Sequence, residues 1–258
     1  LRALEPGPGG MLRELDAPVA TGVVALEPGA VLGTGVATVA GAEGIAALWV
    51  AVRGPGGVVR LVRAERVRSG DENEPPFEAR PDAPSFEPAW FGLNEIGAFD
   101  VVELAEATVL VVEAPELPAG LGLFVRGSGP AAAPPGGGGE LHAGLADALA
   151  RRDVGVLGHP SLIAHGGSWR LHLEARRSAR SRVVLLASDT LVAWRLVGGE
   201  TLGPSGAGFD RFGTALPSAV GRGDRLFLCY AGDDGIQRRL GCAERTASET
   251  AALLRSGS

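Results

Sequence analysis

An internal repeat restricts the folds open to this chain more than any other feature of the sequence. The motif His159-Pro160-Ser161 recurs without a gap as Leu216-Pro217-Ser218, 57 residues later. Weaker copies begin at Val36 and Asp100, so the four equivalent positions are separated by 64, 59 and 57 residues. A repeat of this length that holds three or four short strands is typical of a β-propeller blade, whereas solenoid repeats are usually shorter.

Within each copy the residue pattern is that of β-strands. In the third copy Trp169, Leu171 and Leu173 alternate with Arg170, His172 and Glu174, which predicts a strand with one buried and one exposed face. Glycine and aspartate pairs separate the apolar segments at the points where hairpin turns are expected. We therefore expect an all-β fold, a β-propeller of four to five blades.

The repeat divides the chain into four blades of a single domain that covers residues 1–258. The blades are expected near residues 30–80, 95–135, 153–205 and 210–255. Residues 1–35 would supply outer strands if there is a fifth blade. Three stretches interrupt the pattern: a predicted surface loop at 71–88, a mobile Gly/Pro-rich insertion at 127–139, and a short amphipathic helix at 140–152.

The charge pattern argues against nucleic acid or an anionic membrane surface as a partner. The net charge is −6 and is spread along the 258 residues, whereas both partners require a clustered basic surface. The local exception is a basic cluster, for which we expect a solvated hairpin loop; its members are Arg176, Arg177, Arg180 and Arg182. No apolar segment is long enough for a transmembrane helix. All 24 basic residues are arginine, which suggests a GC-rich bacterial genome.

The two cysteines, Cys229 and Cys242, flank the turn at Asp233-Asp234-Gly235. They face each other if the loop covers 234–237, and they are offset by two residues if the loop covers only 234–235. A cross-strand disulfide would favour an extracytoplasmic location, whereas two buried free thiols would not. Two cysteines without a nearby histidine pair do not predict a metal site, and we expect no cofactor.

The third repeat resembles a blade of glycosidase-like five-bladed propellers, the arabinanases, β-xylosidases and fructosidases. The resemblance is carried by His159-Pro160-Ser161, the alternating strand at 169–173, and the segment from Ser188-Asp189 to Trp194. It covers about two blades well and two poorly. It implies inner-strand carboxylates that point into a central funnel and hydrolyse glycosides as a pair.

The equivalent positions in this chain are mostly not carboxylates: they are Val36, Asp100, His159 and Leu216. We therefore expect a degenerate, non-catalytic propeller that binds a carbohydrate or a protein partner, with Asp100 and His159 in the funnel. One alternative is an active glycoside hydrolase that uses Asp100 with Glu95 or Glu103. Another is a structural or interaction module of a larger surface protein.

The remaining aromatic and histidine residues are interpreted mainly as structural. The tryptophans expected to build the core are Trp49, Trp169 and Trp194. Trp90-Phe91 would either stack on a sugar or anchor its loop. His165 is expected in a loop and His172 on an exposed strand face.

Overall fold

The structure is a computed structural model. It describes residues 2–6, 12–18, 24–26, 31–41, 44–54, 57, 59–67, 77–79, 85–117, 120–127, 140–141, 156–177, 180–197 and 202–246. Regular structure in these residues is β-strand except for two 3-10 helices, Pro88–Phe91 and Gly208–Asp210. The predicted all-β class is confirmed.

The chain forms two compact units. The first consists of Leu1–Glu5, Arg13–Leu110 and Phe124–Glu140, and the second consists of Pro6–Leu12, Val111–Leu123 and Leu141–Ser258.

The strands in the first half of the chain form a two-stranded sheet and a six-stranded sheet. They are β1 (Arg2–Pro6), β2 (Leu12–Pro18), β3 (Val24–Ala25), β4 (Val31–Gly41), β5 (Gly44–Arg53), β6 (Val59–Arg66), β7 (Phe77–Glu78) and β8 (Ser85–Phe86). Strands β1 and β2 pair with each other, and the larger sheet has the order β3-β7-β6-β5-β4 with β8 paired to β6.

The remaining strands form two four-stranded sheets and one three-stranded sheet. They are β9 (Phe99–Glu103), β10 (Ala107–Glu113), β11 (Leu121–Gly127), β12 (Glu140–Leu141), β13 (Val156–His165), β14 (Ser168–Arg177), β15 (Arg180–Ser188), β16 (Arg195–Leu196), β17 (Gly213–Arg222), β18 (Arg225–Asp233) and β19 (Arg238–Thr246). The orders are β12-β11-β10-β9, β13-β14-β15-β16 and β17-β18-β19. Sheets whose strands follow one another in sequence order are the form that propeller blades take.

Short paired strands replace part of what the sequence predicts as irregular or helical. The predicted loop at 71–88 contains β7 and β8, which both pair with β6. Glu140–Leu141, the start of the predicted helix, forms β12 instead. A two-residue strand depends on its neighbour for its hydrogen bonds and so has no periodic pattern of its own. Residues 128–139 and 142–152 lie outside the described residues.

Strand β14 is buried on both faces, so the predicted exposed face is wrong. Arg170, His172 and Glu174 are buried, as are Leu171 and Leu173 between them. The polar face packs against the next sheet, where the Leu216 N–H donates to Glu174 Oε2 at 3.2 Å. A central strand that is covered on both sides is buried along its whole length. The alternation of polar and apolar residues in β14 therefore distinguishes a buried polar face from a buried apolar face, and it does not indicate exposure.

The repeated Pro-Ser motif forms the same β-bulge in two consecutive sheets. Gly158 pairs with Glu174 and Ser161 pairs with His172, so two residues of β13 lie opposite one of β14. The same shift separates Ala215 from Ser218 in β17. The residue before each proline has a positive φ, 49° at His159 and 50° at Leu216. Each costs roughly 1–2 kcal/mol because its Cβ crowds the backbone.

The cysteines form a disulfide across the β18–β19 hairpin. Cys229 and Cys242 are direct cross-strand partners, with their Cα atoms 4.0 Å apart. The Asp234 N–H donates to the Gln237 carbonyl at 3.3 Å, which closes a four-residue loop. Of the two loops that the sequence allows, the one at 234–237 is therefore formed.

In the described part of the chain, no helix has both the length and the apolar character needed to cross a membrane.

Removing the disulfide should destabilise the protein. The bond spans 13 residues of sequence, and closing a loop of this size in the unfolded chain contributes about 3 kcal/mol. We expect the Cys229→Ser/Cys242→Ser variant to lose about that free energy of unfolding, measured by urea denaturation. An unchanged denaturation midpoint in the double variant would contradict this expectation.

Candidate functional site

A carboxylate holds each of the two strained bulges. Glu113 Oε2 accepts the N–H of His159 at 3.2 Å, and Glu174 Oε2 accepts the N–H of Leu216 at 3.2 Å. Each glutamate lies on the second strand of one sheet, and each acceptor contact reaches the first strand of the following sheet. The contact satisfies a backbone donor that the bulge removes from the ladder.

Gly158 gives Glu113 the space to reach its bulge. A Cβ at residue 158 would lie 2.8 Å from Glu113 Oε2, closer than van der Waals contact allows. Any other residue at this position would displace the carboxylate from the His159 N–H.

Glu174 is the most enclosed group of the site. Its side chain is 2% exposed, it accepts a hydrogen bond from Arg176 Nε, and its Oε2 lies 3.8 Å from His159 Nε2. The hydrogen bond and charge of Glu174 raise the pKa of Arg176, and the charge of Glu113 adds to this effect. Glu174 is therefore bound to a backbone amide and a guanidinium.

The first residue of each bulge has access to solvent. The His159 side chain is 37% exposed, and Leu216 is 41% exposed. Val36, the equivalent position in the first repeat, is 54% exposed. Within the second unit, the exposed His159 and Leu216 side chains both lie beside Glu174 Oε2.

The two predicted funnel residues lie in different units, and their joint role stays a prediction. Asp100 is half-buried in the first unit, where its Oδ1 accepts the N–H of Val101 at 2.8 Å. His159 lies in the second unit.

Of the two glutamates considered as catalytic partners of Asp100, one is engaged in a network. Glu103 Oε1 accepts from Trp49 Nε1 and from Arg63 Nε, both at 2.7 Å. This ion pair raises the pKa of Arg63. Glu95 is exposed.

Besides Glu174, four polar side chains of β13 and β14 are buried; they are Ser161, His165, Arg170 and His172. The prediction of a loop histidine and an exposed-face histidine is wrong, since His165 and His172 are both buried. Burial and the positive charge of Arg170 lower the pKa of His172 to about 4, and the same causes lower the pKa of His165.

The aromatic residues serve mainly in packing. Trp49 and Trp194 are buried as predicted, whereas Trp169 is half-buried. For Trp90-Phe91, the contacts match an anchored segment. The Phe91 ring lies 4.5 Å from the Phe124 ring, and the Arg126 guanidinium lies 5.1 Å from the Trp90 ring centroid.

Sequence reasoning missed Glu113 and Glu174 as members of the site. Glu113 follows the apolar run Val109–Val112, and Glu174 lies in a strand in which polar residues alternate with Leu171 and Leu173. That placement is a usable signal, because a carboxylate inside a buried strand requires a specific partner.

The described residues contain no cluster of three or more His, Cys, Asp or Glu side chains arranged to hold a metal ion.

No family model matches the sequence, and no curated protein sequence matches it. Among solved structures, a thermostable family-43 glycoside hydrolase is similar over 77% of this chain and 68% of its own, with 13% identity and a TM-score of 0.48. An α-L-arabinofuranosidase from Lactobacillus brevis gives the same four values. An exo-β-1,3-galactanase from Phanerochaete chrysosporium is similar over 93% of this chain and 52% of its own, with 11% identity and a TM-score of 0.47.

These similar proteins belong to the glycosidase class that the sequence motifs resemble. This chain spans less than two thirds of some of them, 52% of the galactanase and 62% of another glycoside hydrolase. At these identities and TM-scores the likeness concerns the fold alone, and it carries no argument about what this chain binds or catalyses.

Truncating the two bulge carboxylates should destabilise the protein to different degrees. Glu174→Ala removes a buried acceptor of the Leu216 N–H, and we expect a loss of about 2–4 kcal/mol. Glu113→Ala should cost less, about 1–2 kcal/mol, because Glu113 is only half-buried. Urea denaturation measures both. Glu244→Ala, which removes an exposed ion pair with Arg225, serves as the control and should change stability little.

Acid should destabilise the protein through His172. Its folded-state pKa is lowered from 6.5 to about 4, so the unfolded chain binds a proton that the folded chain does not. Stability should therefore fall as pH drops from about 6.5 to about 4, by about 3 kcal/mol from this group. His172→Gln should show a flatter profile over this window in urea denaturation at stepped pH. A variant with the wild-type slope would rule out His172 as the source.

Proposed function

We propose that this chain is a non-catalytic, glycosidase-like binding module that takes a carbohydrate at the starts of its inner strands. One observation carries the proposal. Glu113 and Glu174 are committed to bulge N–H groups, while His159 and Leu216 beside them have access to solvent. The part of the site that a ligand can reach is suited to binding.

The same arrangement argues against hydrolysis at this position. Glycosidases place two carboxyl groups against the substrate, one to donate a proton and one to accept it or attack. Glu174 is 2% exposed and paired with Arg176, so a glycosidic oxygen cannot reach it. Glu103 is held by Trp49 and Arg63 in the first unit.

A carbohydrate fits the chemistry of the exposed groups. The His159 imidazole can exchange hydrogen bonds with hydroxyl groups, and Leu216 offers an apolar surface to the C–H face of a sugar ring. Asp100, half-buried in the first unit, is proposed separately as a group that forms a hydrogen bond with a carbohydrate. The disulfide supports an extracytoplasmic location, where polysaccharides are met.

The test measures binding and hydrolysis on the same glycans. Arabinan, xylan and β-1,3-galactan are titrated by calorimetry and then assayed for released reducing sugar. We expect binding to at least one polymer without product release. His159→Gln and Asp100→Asn should each weaken that binding about fivefold, the loss of one ligand hydrogen bond. Asp189→Asn, a change at an exposed aspartate, should leave it unchanged.

Two results would overturn the proposal. Release of sugar that Asp100→Asn abolishes would establish the hydrolase alternative. Failure to bind any glycan, together with capture of a defined protein ligand that His159→Gln weakens, would make the module a protein receptor instead.

A further inference from the structure

The sheet of β17, β18 and β19 has one face that is open to solvent. On its other face a Cβ at Gly221 would lie 2.9 Å from His165 Nδ1, so this side is packed against the preceding sheet. Cross-strand partners and residues two apart on a strand share a face. The pairing of the strands therefore places five residues together on the open side, and we call them the open face: Val220, Phe227, Cys229, Leu240 and Cys242.

Comparison with the preceding repeat shows what such a face can be packed against. The 57-residue shift that relates the two sheets places Leu240 at the position of Val183 and Val220 at that of Ile163. Val183 is fully buried because the β17 sheet covers it, and its N–H donates to Thr214 Oγ1 at 3.2 Å. Leu240 is 58% exposed and Val220 is 53% exposed. The same face is thus covered by a sheet in one repeat and open in the next.

The open face is apolar where its covered counterpart is polar. Arg170 and His172 of the covered face correspond to Phe227 and Cys229, and Cys229 is bonded to Cys242. Phe227 and the two cysteines are half-buried. Apolar surface left in water costs roughly 25 cal/mol per Å². A contiguous apolar face that is rimmed by polar residues marks a surface at which proteins associate.

We propose that the open face binds the same face of a second copy of this chain, so that two β17-β18-β19 sheets pack face to face in a two-fold dimer. A surface that pairs with itself is the usual basis of a homodimer. Sheets that pack in this way lie about 10 Å apart and interdigitate their side chains. The proposal goes beyond the proposed function, because it requires no carbohydrate and uses neither His159 nor Asp100.

The charges at the two ends of the open face suit a second copy of it. At one end Arg225 Nη1 lies 2.8 Å from Glu244 Oε1, and at the other Arg238 Nε lies 3.8 Å from Asp233 Oδ2. The five residues of the open face between them are uncharged. Each end therefore carries both signs, and a two-fold rotation can bring opposite charges together. A partner with one dominant sign of charge would meet like charges at both ends.

The area of the open face predicts a weak dimer. Strands β18 and β19 have nine residues each, which corresponds to a length of about 30 Å, and three strands are about 14 Å wide. Each copy then contributes on the order of 400 Å², so the pair buries roughly 800–1,000 Å². Interfaces at this low end of the range belong to weak, reversible complexes. We expect a dissociation constant of about 10–100 μM.

Sedimentation velocity on the 258-residue chain, at concentrations from about 1 to 500 μM, measures the association. Leu240→Glu and Val220→Glu should each weaken it about tenfold or more, because the two-fold axis brings two uncompensated carboxylates into the apolar contact. Ile236→Glu is the matched control. It makes the same change in the loop of the β18–β19 hairpin, at a residue that is 85% exposed, and should alter the association less than about twofold. Added NaCl should not weaken an apolar contact.

Several results would overturn the inference: a monomer throughout the concentration range, equal weakening by Ile236→Glu, association that both open-face variants leave intact, or association that NaCl abolishes. Thermal denaturation checks that the variants fold, and Leu240→Ser or Val220→Ser replaces a glutamate variant that is destabilised. The proposed function is judged separately, because its glycan titrations use His159→Gln and Asp100→Asn, which leave the open face unchanged.

Discussion

The structure of the second unit depends on hydrogen bonds from two strained bulges to two carboxylates, one buried and one half-buried. His159 and Leu216 adopt positive φ values, and each would leave an unpaired backbone donor if Glu113 and Glu174 did not accept from them. At the bulges the side chains of His159 and Leu216 have access to solvent. The same contacts hold Glu113 and Glu174 against backbone amides beside the exposed His159 and Leu216 side chains.

Strand β14 uses charge in two different ways along its length. Glu174, His172 and Arg170 lie on the face that packs against the following sheet and are buried. Beyond them the strand leaves the core, and Arg177 on the other face joins Arg180 and Arg182 at the exposed end of the hairpin. Burial separates the two groups, because the first is enclosed by protein and the second is exposed to solvent.

The sequence predicted the repeated sheets, since the Pro-Ser motif and its 57-residue shift mark the same bulge in two of them. It also limited the cysteine hairpin to two registers. It could not predict β7, β8 or β12, because strands of two residues form through pairing alone. The two faces of β14 were misread for a related reason: alternation of polar and apolar residues indicates exposure only when one face lacks a covering layer. Glu113 and Glu174 were missed because the backbone amides that they bind lie far away in the sequence, although a carboxylate within a buried strand is itself a signal that a partner is required.

The carboxylate of each pair belongs to one sheet, and the amide that it binds belongs to the next. A repeat that was lost or duplicated during evolution would therefore carry the acceptor for its successor and the donor for its predecessor. A new copy would fit wherever both neighbouring repeats contain the glutamate and the proline motif. An inserted segment that did not comprise a whole repeat would leave one glutamate and one bulge amide without partners. The number of repeats in such a chain can thus change in whole units, with the joint between glutamate and proline motif as the natural point of recombination.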